Sequence, residues 1–245
     1  MTALLAVAHG QNESNAVRPA FEVASIKPGD PHGLMRVTAS GTRFSDRNTY
    51  LTSLIQYAYH LQLWQIPNRP GCFDSDRFVI EAIKPAGSKI GLTRFQDEEL
   101  KSMVRTLLED RFKLVLHRES KEGVVYALVV AKSGAKLREA ADTPDANEFI
   151  GASVARGTQG LTLEGKSATA SDIAFALSGI LERPVLDETS LKGHYDFTME
   201  YSGGMETDGP SIFASLQQQL GLRLEARKGP VTVVVIEHAE KPSYN

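Results

Sequence analysis

The chain has 245 residues, and its 27 Lys+Arg against 30 Asp+Glu give a formal net charge of −3. This length allows one large or two small domains. The near-neutral charge argues against non-specific binding to nucleic acid. The single cysteine, Cys72, excludes an internal disulfide and a Cys-rich zinc module. We expect it to be a buried small apolar residue rather than a reactive thiol. No apolar run reaches the ~18 residues typical of a membrane-spanning helix.

The first residues differ from the rest of the chain. Residues 1–8 read MTALLAVA, and Ala6-Val7-Ala8 matches the small-x-small pattern before a signal-peptidase site. We therefore predict an exported, periplasmic or extracellular protein, with residues 1–17 as a signal-peptide remnant and flexible leader. A positively charged region is missing, so we expect the printed start to lie inside a longer signal peptide. The alternative is an apolar N-terminus that frays.

The first half of the chain shows alternating strand and helix patterns. In chain order these predict a strand at Phe21–Pro28, a hairpin or bulged strand at Met35–Phe44, a helix at Tyr50–Leu61, a strand at Arg77–Ala82 and a helix at Gln96–Asp110. Asp46 or Asn48 is the predicted cap of the first helix. After the second helix, Gly123 predicts a turn between two strands, the later one at Val124–Ala131.

The second half contains a similar succession of elements. A helix is predicted at Ala170–Leu181 and a strand at Tyr195–Met199. Four apolar positions of the segment 108–116 recur in the segment 216–224 at a constant offset of 108 residues. Each segment is followed by a glycine, Gly123 or Gly229, and by a Val-rich strand. This repeat predicts an internal duplication.

The repeat defines the predicted domain organisation. We expect an α+β fold of two similar halves, with helices packed on mainly antiparallel sheets. The first half is predicted at 18–137 and the second at 161–245. The polar segment 138–160 is predicted to connect them. Without a disulfide, packing has to hold the halves together.

Several separated strings carry a family resemblance. They are Phe21-Glu-Val-Ala-Ser-Ile-Lys-Pro28, Leu107-Leu-Glu-Asp-Arg-Phe-Lys-Leu114 with His117-Arg-Glu119, Arg183-Pro-Val-Leu-Asp187 with Tyr195-Asp-Phe197, and Gln219-Leu-Gly-Leu222 with Arg227-Lys-Gly-Pro-Val231. Over about residues 20–243, the chain resembles a large family of exported proteins of unknown function that is expanded in soil acidobacteria. Some relatives carry this region behind an antirepressor-type membrane metallopeptidase module, which implies an extracytoplasmic location. The resemblance implies no catalytic residue.

Common catalytic motifs are absent from the sequence. It contains no Gly-x-Ser-x-Gly elbow, no His-Glu-x-x-His pair and no glycine-rich phosphate loop. His117-x-Glu119 and His194-x-Asp196 each place two possible metal ligands on one face of a strand. Solvated strand faces explain both pairs more simply. We therefore predict no metal and no cofactor.

Two groups of residues are candidates for a ligand or partner face. The basic residues Arg111, Lys113, His117, Arg223 and Arg227 surround the strands of the two repeats and predict a surface for an acidic ligand, such as a cell-wall polymer or an acidic protein tail. The alternative is the ordinary polar face of an antiparallel sheet.

Aromatic residues form the second group. Trp64, with Tyr57 and Tyr59, is a candidate for lining a groove that binds a sugar or a peptide. These side chains alternatively form the buried face of the first helix.

The preferred functional hypothesis is an exported, non-enzymatic binding or interaction module for an unknown protein or cell-envelope ligand. Duplication, the signal-like start and the missing catalytic motifs favour it. One alternative is a secreted hydrolase with an unrecognised site in the cleft between the halves. A second alternative is an envelope sensor domain.

Overall fold

The computed structural model describes residues 18–88, 97–140, 150–156, 160–202 and 210–244. These ranges contain helices and three mainly antiparallel sheets, which confirms the predicted α+β class. The predicted leader 1–17 and the expected helix start at Gln96 lie outside the described residues. None of the described helices is long and apolar enough to span a membrane.

The first half builds a four-stranded antiparallel sheet with two helices. Its elements are β1 Val23–Pro28, β2 Arg36–Ser40, β3 Arg43–Tyr50, α1 Leu51–Tyr59, β4 Arg77–Ile83 and α2 Glu98–Arg111. The strand order is β1-β4-β3-β2. Both helices and the sheet enclose one hydrophobic core, in which Ile55, Ile80 and Leu108 are completely buried.

The second half repeats this arrangement. Its elements are β6 Arg138–Glu139, β7 Gly151–Arg156, β8 Leu161–Ala168, α3 Ala170–Leu181, β9 Val185–Asp187, β10 Tyr195–Tyr201 and α4 Ile212–Ser215, which continues as a π-helical turn at Leu216–Leu220. The strand order is β6-β10-β8-β7. Leu163, Ile173 and Met199 are buried in the second core.

The two sheets have the same strand order when the strands of each sheet are numbered in chain order. In each sheet the first strand of the half pairs with the last, and the second strand lies at the opposite edge. This match supports the predicted duplication, which stays a prediction. The segment 138–160 is not only a connection, because β6 and β7 both join the second sheet.

Side-chain caps explain where two of the helices begin. The Asp97 carboxylate accepts a hydrogen bond from the N–H of Leu100 (2.8 Å) and starts α2. Thr169 and Asp172 form a capping box at the start of α3. The prediction that Asp46 or Asn48 caps α1 is wrong. Both residues lie within β3, which continues to Tyr50, so the helix begins without a side-chain cap.

A long two-stranded ribbon connects the halves. It consists of β5 Val115–Val130 and β11 Leu222–His238, which pair in antiparallel fashion along nearly their whole length. β9 adds a short third strand, parallel to β5. Val234 of the ribbon is buried in the first core, whereas Leu128 and Leu222 are buried in the second. The same pair of strands therefore contributes to both cores.

The predicted turn at Gly123 is wrong, because β5 runs through this residue without a break. Gly123 pairs directly with Gly229 of β11. A Cβ atom on Gly123 would lie 2.7 Å from a methyl group of Val231, and one on Gly229 would lie 2.9 Å from a methyl group of Val125. Both glycines therefore allow close side-chain packing across the ribbon rather than a change of direction.

Cys72 is exposed, so the prediction of a buried thiol is also wrong. It lies in a 3-10 turn at Gly71–Phe73, where the neighbouring Phe73 is the residue that enters the core. One turn has few positions that face inwards, and here the larger apolar side chain takes one of them.

We predict that Gly221→Ala destabilises the protein by about 2–4 kcal/mol. Gly221 joins the π-helical turn to β11 with φ of 64°, and a Cβ there would lie 2.0 Å from the backbone oxygen of Gly134. Urea denaturation measures the change. Gly71→Ala is the control, since a Cβ at Gly71 meets nothing within 4 Å. Equal stabilities of the two variants would contradict the requirement for glycine at position 221.

Candidate functional site

A pocket of about 390 Å³ lies between the two halves. Its walls come from α1, the start of α2, β7 and α3. The lining residues are Ser53, Gln56, Tyr57, His60, Leu61, Gln62, Lys101, Ile150, Gly151, Ala152, Ser153, Asp172 and Phe175. This volume falls within the usual range of small-molecule sites, about 300–1,000 Å³.

An aromatic stack joins the two sides of the pocket. The rings of His60 and Phe175 are parallel within 17°, with centroids 3.9 Å apart. His60 ends α1 in the left-handed conformation (φ 52°), which histidine adopts more readily than most residues. The stack therefore connects the end of a first-half helix to the middle of α3.

Gln62 strengthens the same junction. Its side-chain amide donates a hydrogen bond to the backbone oxygen of Phe175 (2.6 Å). A Cβ on Gly179 of α3 would lie 2.7 Å from the Gln62 amide oxygen. Glycine at position 179 therefore leaves the room that the Gln62 side chain occupies.

The pocket contains one buried ammonium group. The Lys101 side chain is 6 % exposed, and its Nζ contacts a carboxylate oxygen of Glu98 at 2.7 Å. Glu98 itself is 70 % exposed. The hydrogen bond from Lys101 lowers the pKa of Glu98, which stays ionised. A cation inside the pocket is thus balanced by a carboxylate near the surface.

His60 is uncharged at neutral pH. Burial lowers its pKa below the ordinary 6.5, the nearby Lys101 lowers it further, and Glu98 and Asp172 oppose these effects in part. A neutral imidazole offers one donor and one acceptor nitrogen. The pocket therefore combines aromatic faces with neutral hydrogen-bonding groups, the Lys101 cation and the Asp172 carboxylate.

Two hydroxyls and an imidazole in the pocket are of the types that a nucleophilic enzyme uses. Ser53 and Ser153 are hydroxyls in the pocket wall, and His60 is its imidazole. A serine nucleophile is activated by a base within hydrogen-bond reach. Among the residues that the structure describes, no hydrogen bond joins either hydroxyl to the His60 ring.

A family model described as "Protein of unknown function (DUF3738)" matches residues 52–239. The chain belongs to this family. The match confirms the expected membership of a family of unknown function, and it includes every residue that lines the pocket. Searches of curated proteins and of solved structures found no match.

Three of the predicted basic residues share one face of the ribbon that β5 and β11 form. Odd-numbered residues of β5 pair with odd-numbered residues of β11; Arg223, for example, pairs with Val129, and Arg227 pairs with Val125. Since directly paired residues share a face, the odd-numbered residues of both strands lie on the same face of the ribbon. His117, Arg223 and Arg227 therefore point to the same side.

Carboxylates neutralise these three basic residues. Arg227 contacts Glu188 (2.7 Å) and Glu225 (2.8 Å), and Arg223 also pairs with Glu225. The imidazole of His117 contacts Glu237 (2.7 Å) and Glu119 (3.1 Å), and the hydrogen bonds to Glu119 and Glu237 raise its pKa. The face alternates in charge and does not form a continuous basic surface for an acidic ligand.

Arg111 and Lys113 lie outside this face. The Arg111 guanidinium donates to the backbone oxygens of Ala24 (3.3 Å) and Ser243 (3.1 Å), so it holds β1 and the C-terminal segment together. Lys113 donates to the backbone oxygen of Asp110 (2.9 Å) at the end of α2. The described structure gives both residues a local structural role.

The predicted aromatic group is divided. Tyr57 lines the pocket between the halves, whereas Tyr59 lines a different, open depression beside Lys113. Trp64 is half-buried in a 3-10 turn, and among the described residues its indole N–H has no hydrogen-bond partner. Trp64 does not line the pocket. No local signal predicts Lys101 or Phe175 as pocket residues, because neither belongs to a motif.

The two candidate ligand pairs on strands make ordinary contacts. His194 bonds through Nδ1 to the backbone oxygen of Ser167 (3.0 Å), and Asp196 accepts from the N–H of the same residue (2.8 Å). Within the described ranges, no group of three or more His, Cys, Asp or Glu side chains is placed to hold a metal ion.

We predict that His60 makes the protein less stable as the pH falls below about 6.5. Its folded-state pKa is lowered, so the unfolded chain binds more protons in this range and acid favours unfolding. The free energy of unfolding, measured between pH 7.5 and 5, should therefore depend less on pH in His60→Asn. Asn tolerates the left-handed backbone of position 60.

His117→Gln is the matched comparison for this measurement. The pKa of His117 is raised in the folded protein. Its contribution to the free energy of unfolding is therefore present at low pH and is lost as the pH rises through the folded-state pKa. Its removal should change the slope in the opposite direction. Identical slopes for wild type and His60→Asn would contradict the assignment.

Proposed function

We propose that this protein is an exported, non-enzymatic binding module whose ligand occupies the pocket between the halves. The pocket's joint construction carries this proposal: α1 and α2 supply His60 and Lys101, and α3 and β7 supply Phe175 and Ser153. Concave sites with aromatic walls and a few convergent polar groups are typical of small-molecule binding. The Ala6-Val7-Ala8 pattern supports export.

The chemistry of the lining favours a polar ligand with apolar or sugar-like faces and a carboxylate that can reach Lys101. Phe175 and Tyr57 provide apolar surface, and Gln56, Ser53 and Ser153 provide hydrogen-bonding groups. A ligand carboxylate can replace Glu98 at Lys101, because Glu98 is mostly exposed and regains its hydration when displaced. Short peptides and sugar fragments of the cell envelope have these properties.

We predict that soluble muropeptides from digested peptidoglycan bind the wild-type protein, and that Ser53→Phe weakens this binding at least tenfold. Ser53 lies half-buried in the pocket wall, so a phenyl ring at this position takes up ligand space. Isothermal titration calorimetry measures the affinity. Gln217→Phe is the control, since it adds the same ring at an exposed position outside the pocket. No binding by the wild type, or equal binding by Ser53→Phe, would contradict the proposal.

The hydrolase alternative is tested with the same muropeptides. Mass spectrometry after incubation should find the fragments unchanged if the protein only binds them. Cleavage by the wild type that disappears in His60→Asn would replace the binding proposal with an enzymatic one.

A further inference from the structure

The outer edge of β5 carries an unpaired stretch of backbone. β9 pairs with this edge only at Tyr126–Leu128. At the other end, Lys113 adopts a left-handed conformation (φ 53°) just before the strand begins at Val115. Within the described residues the edge is therefore unpaired over 115–125, with Ser120 at its centre. Residues 117–122 are all exposed.

The hydrogen bonds to β9 show which residues direct their backbone groups outwards. The N–H of Tyr126 donates to the oxygen of Pro184 (2.9 Å), and the oxygen of Leu128 accepts from the N–H of Glu188 (2.9 Å). Since these directions alternate along an antiparallel strand, the other even-numbered residues also face this side. They are Leu116, Arg118, Ser120, Glu122 and Val124.

The opposite edge of the ribbon, on β11, is protected. Pro230 occupies an outward-facing position in the middle of the strand and has no N–H to offer. The outward oxygen of Thr232 accepts a hydrogen bond from the Gln65 side chain (3.1 Å). Natural sheets use such features to prevent edge-to-edge pairing, and the stretch 115–125 of β5 contains no proline.

The sequence around Ser120 is self-complementary in charge. It reads Leu116-His-Arg-Glu-Ser-Lys-Glu-Gly-Val124. When two copies run antiparallel with Ser120 opposite Ser120, Arg118 lies opposite Glu122 and Glu119 opposite Lys121. Leu116 lies opposite Val124. Opposite charges directly across an antiparallel pair are stabilising, and like charges are destabilising.

The hydrogen-bonding pattern restricts the registers in which two β5 edges can pair. Outward-facing residues must lie opposite outward-facing residues, so a symmetric pairing has its twofold axis at a residue and not between two residues. An axis at Arg118, Glu119, Lys121 or Glu122 places that charged residue opposite its own copy. Among the central five positions, only an axis at Ser120 avoids this repulsion.

We propose that two copies of this protein associate through the free edges of β5, with the twofold axis at Ser120. The two ribbons then form one continuous sheet in the strand order β11-β5-β5-β11. This surface contains none of the residues that line the pocket, so the proposal is independent of the proposed ligand. A second copy is the partner because the charge pattern complements itself.

Charge reversal tests the pairing. Sedimentation equilibrium over about 1–200 µM gives the dimer dissociation constant, which we expect in the micromolar range. Arg118→Glu places like charges at both symmetric contacts with Glu122 and should raise the constant at least tenfold, as should Glu122→Arg. The double variant Arg118→Glu/Glu122→Arg restores opposite charges and should recover the wild-type constant. A monomeric wild type, or a double variant no better than the single ones, would overturn the proposal.

Cysteine cross-linking tests the register. Directly opposite hydrogen-bonded residues have Cα atoms about 5.5 Å apart, which suits a disulfide. In a Cys72→Ser background, Ser120→Cys should give a covalent dimer under mild oxidation. His117→Cys is the control, because it lies opposite Gly123 in this register and its two copies would lie about 20 Å apart along the strands. Cross-linking of His117→Cys but not of Ser120→Cys would contradict this register.

Discussion

The antiparallel pairing of β5 with β11 is the interaction on which the described structure depends. The two strands are far apart along the chain, and their pairing continues from Val115 to Val130 of β5. Leu128 and Leu222 enter one core and Val234 enters the other, so separation of the strands would expose apolar surface in both. The single cysteine of the chain cannot form an internal disulfide, so non-covalent packing holds the two strands together.

The pocket follows from this constraint. Because the ribbon holds both cores, the end of α1 and the middle of α3 meet, and the rings of His60 and Phe175 stack. Lys101 lies beside this contact with its charge balanced by an exposed carboxylate. Neither half contains the pocket by itself. A ligand that contacts both walls would therefore favour the joined arrangement of the halves.

Local signals in the sequence predicted the elements well but not the contacts between them. The helix α3 begins and ends at the predicted residues, since Thr169 and Asp172 form a local cap and the apolar residues recur at helical spacing. Gly123 misled the prediction because a glycine in a strand has the same local appearance as one in a turn. Its role depends on Val231, which is more than a hundred residues away along the chain.

The residues of the candidate site also divide into those that a local sequence signal predicts and those that only the tertiary fold brings together. Tyr57 is a predicted groove residue because aromatic side chains bind sugars and peptides, and it does line the pocket. Nothing local predicts that His60 contacts Phe175, because their proximity is created by the tertiary fold. The basic residues of the ribbon were recognised as a group. Glu225 lies two residues from Arg227 on the same strand, whereas Glu188 reaches Arg227 only in the folded chain.

Hydrogen–deuterium exchange with and without muropeptides tests whether both halves contact one ligand, because it reports on both walls of the pocket in one experiment. We expect the ligand to slow exchange together at the end of α1, in β7 and in the first turns of α3, with little change on the charged face of the ribbon. Slower exchange in one half alone, or only around Arg223 and Arg227, would contradict it.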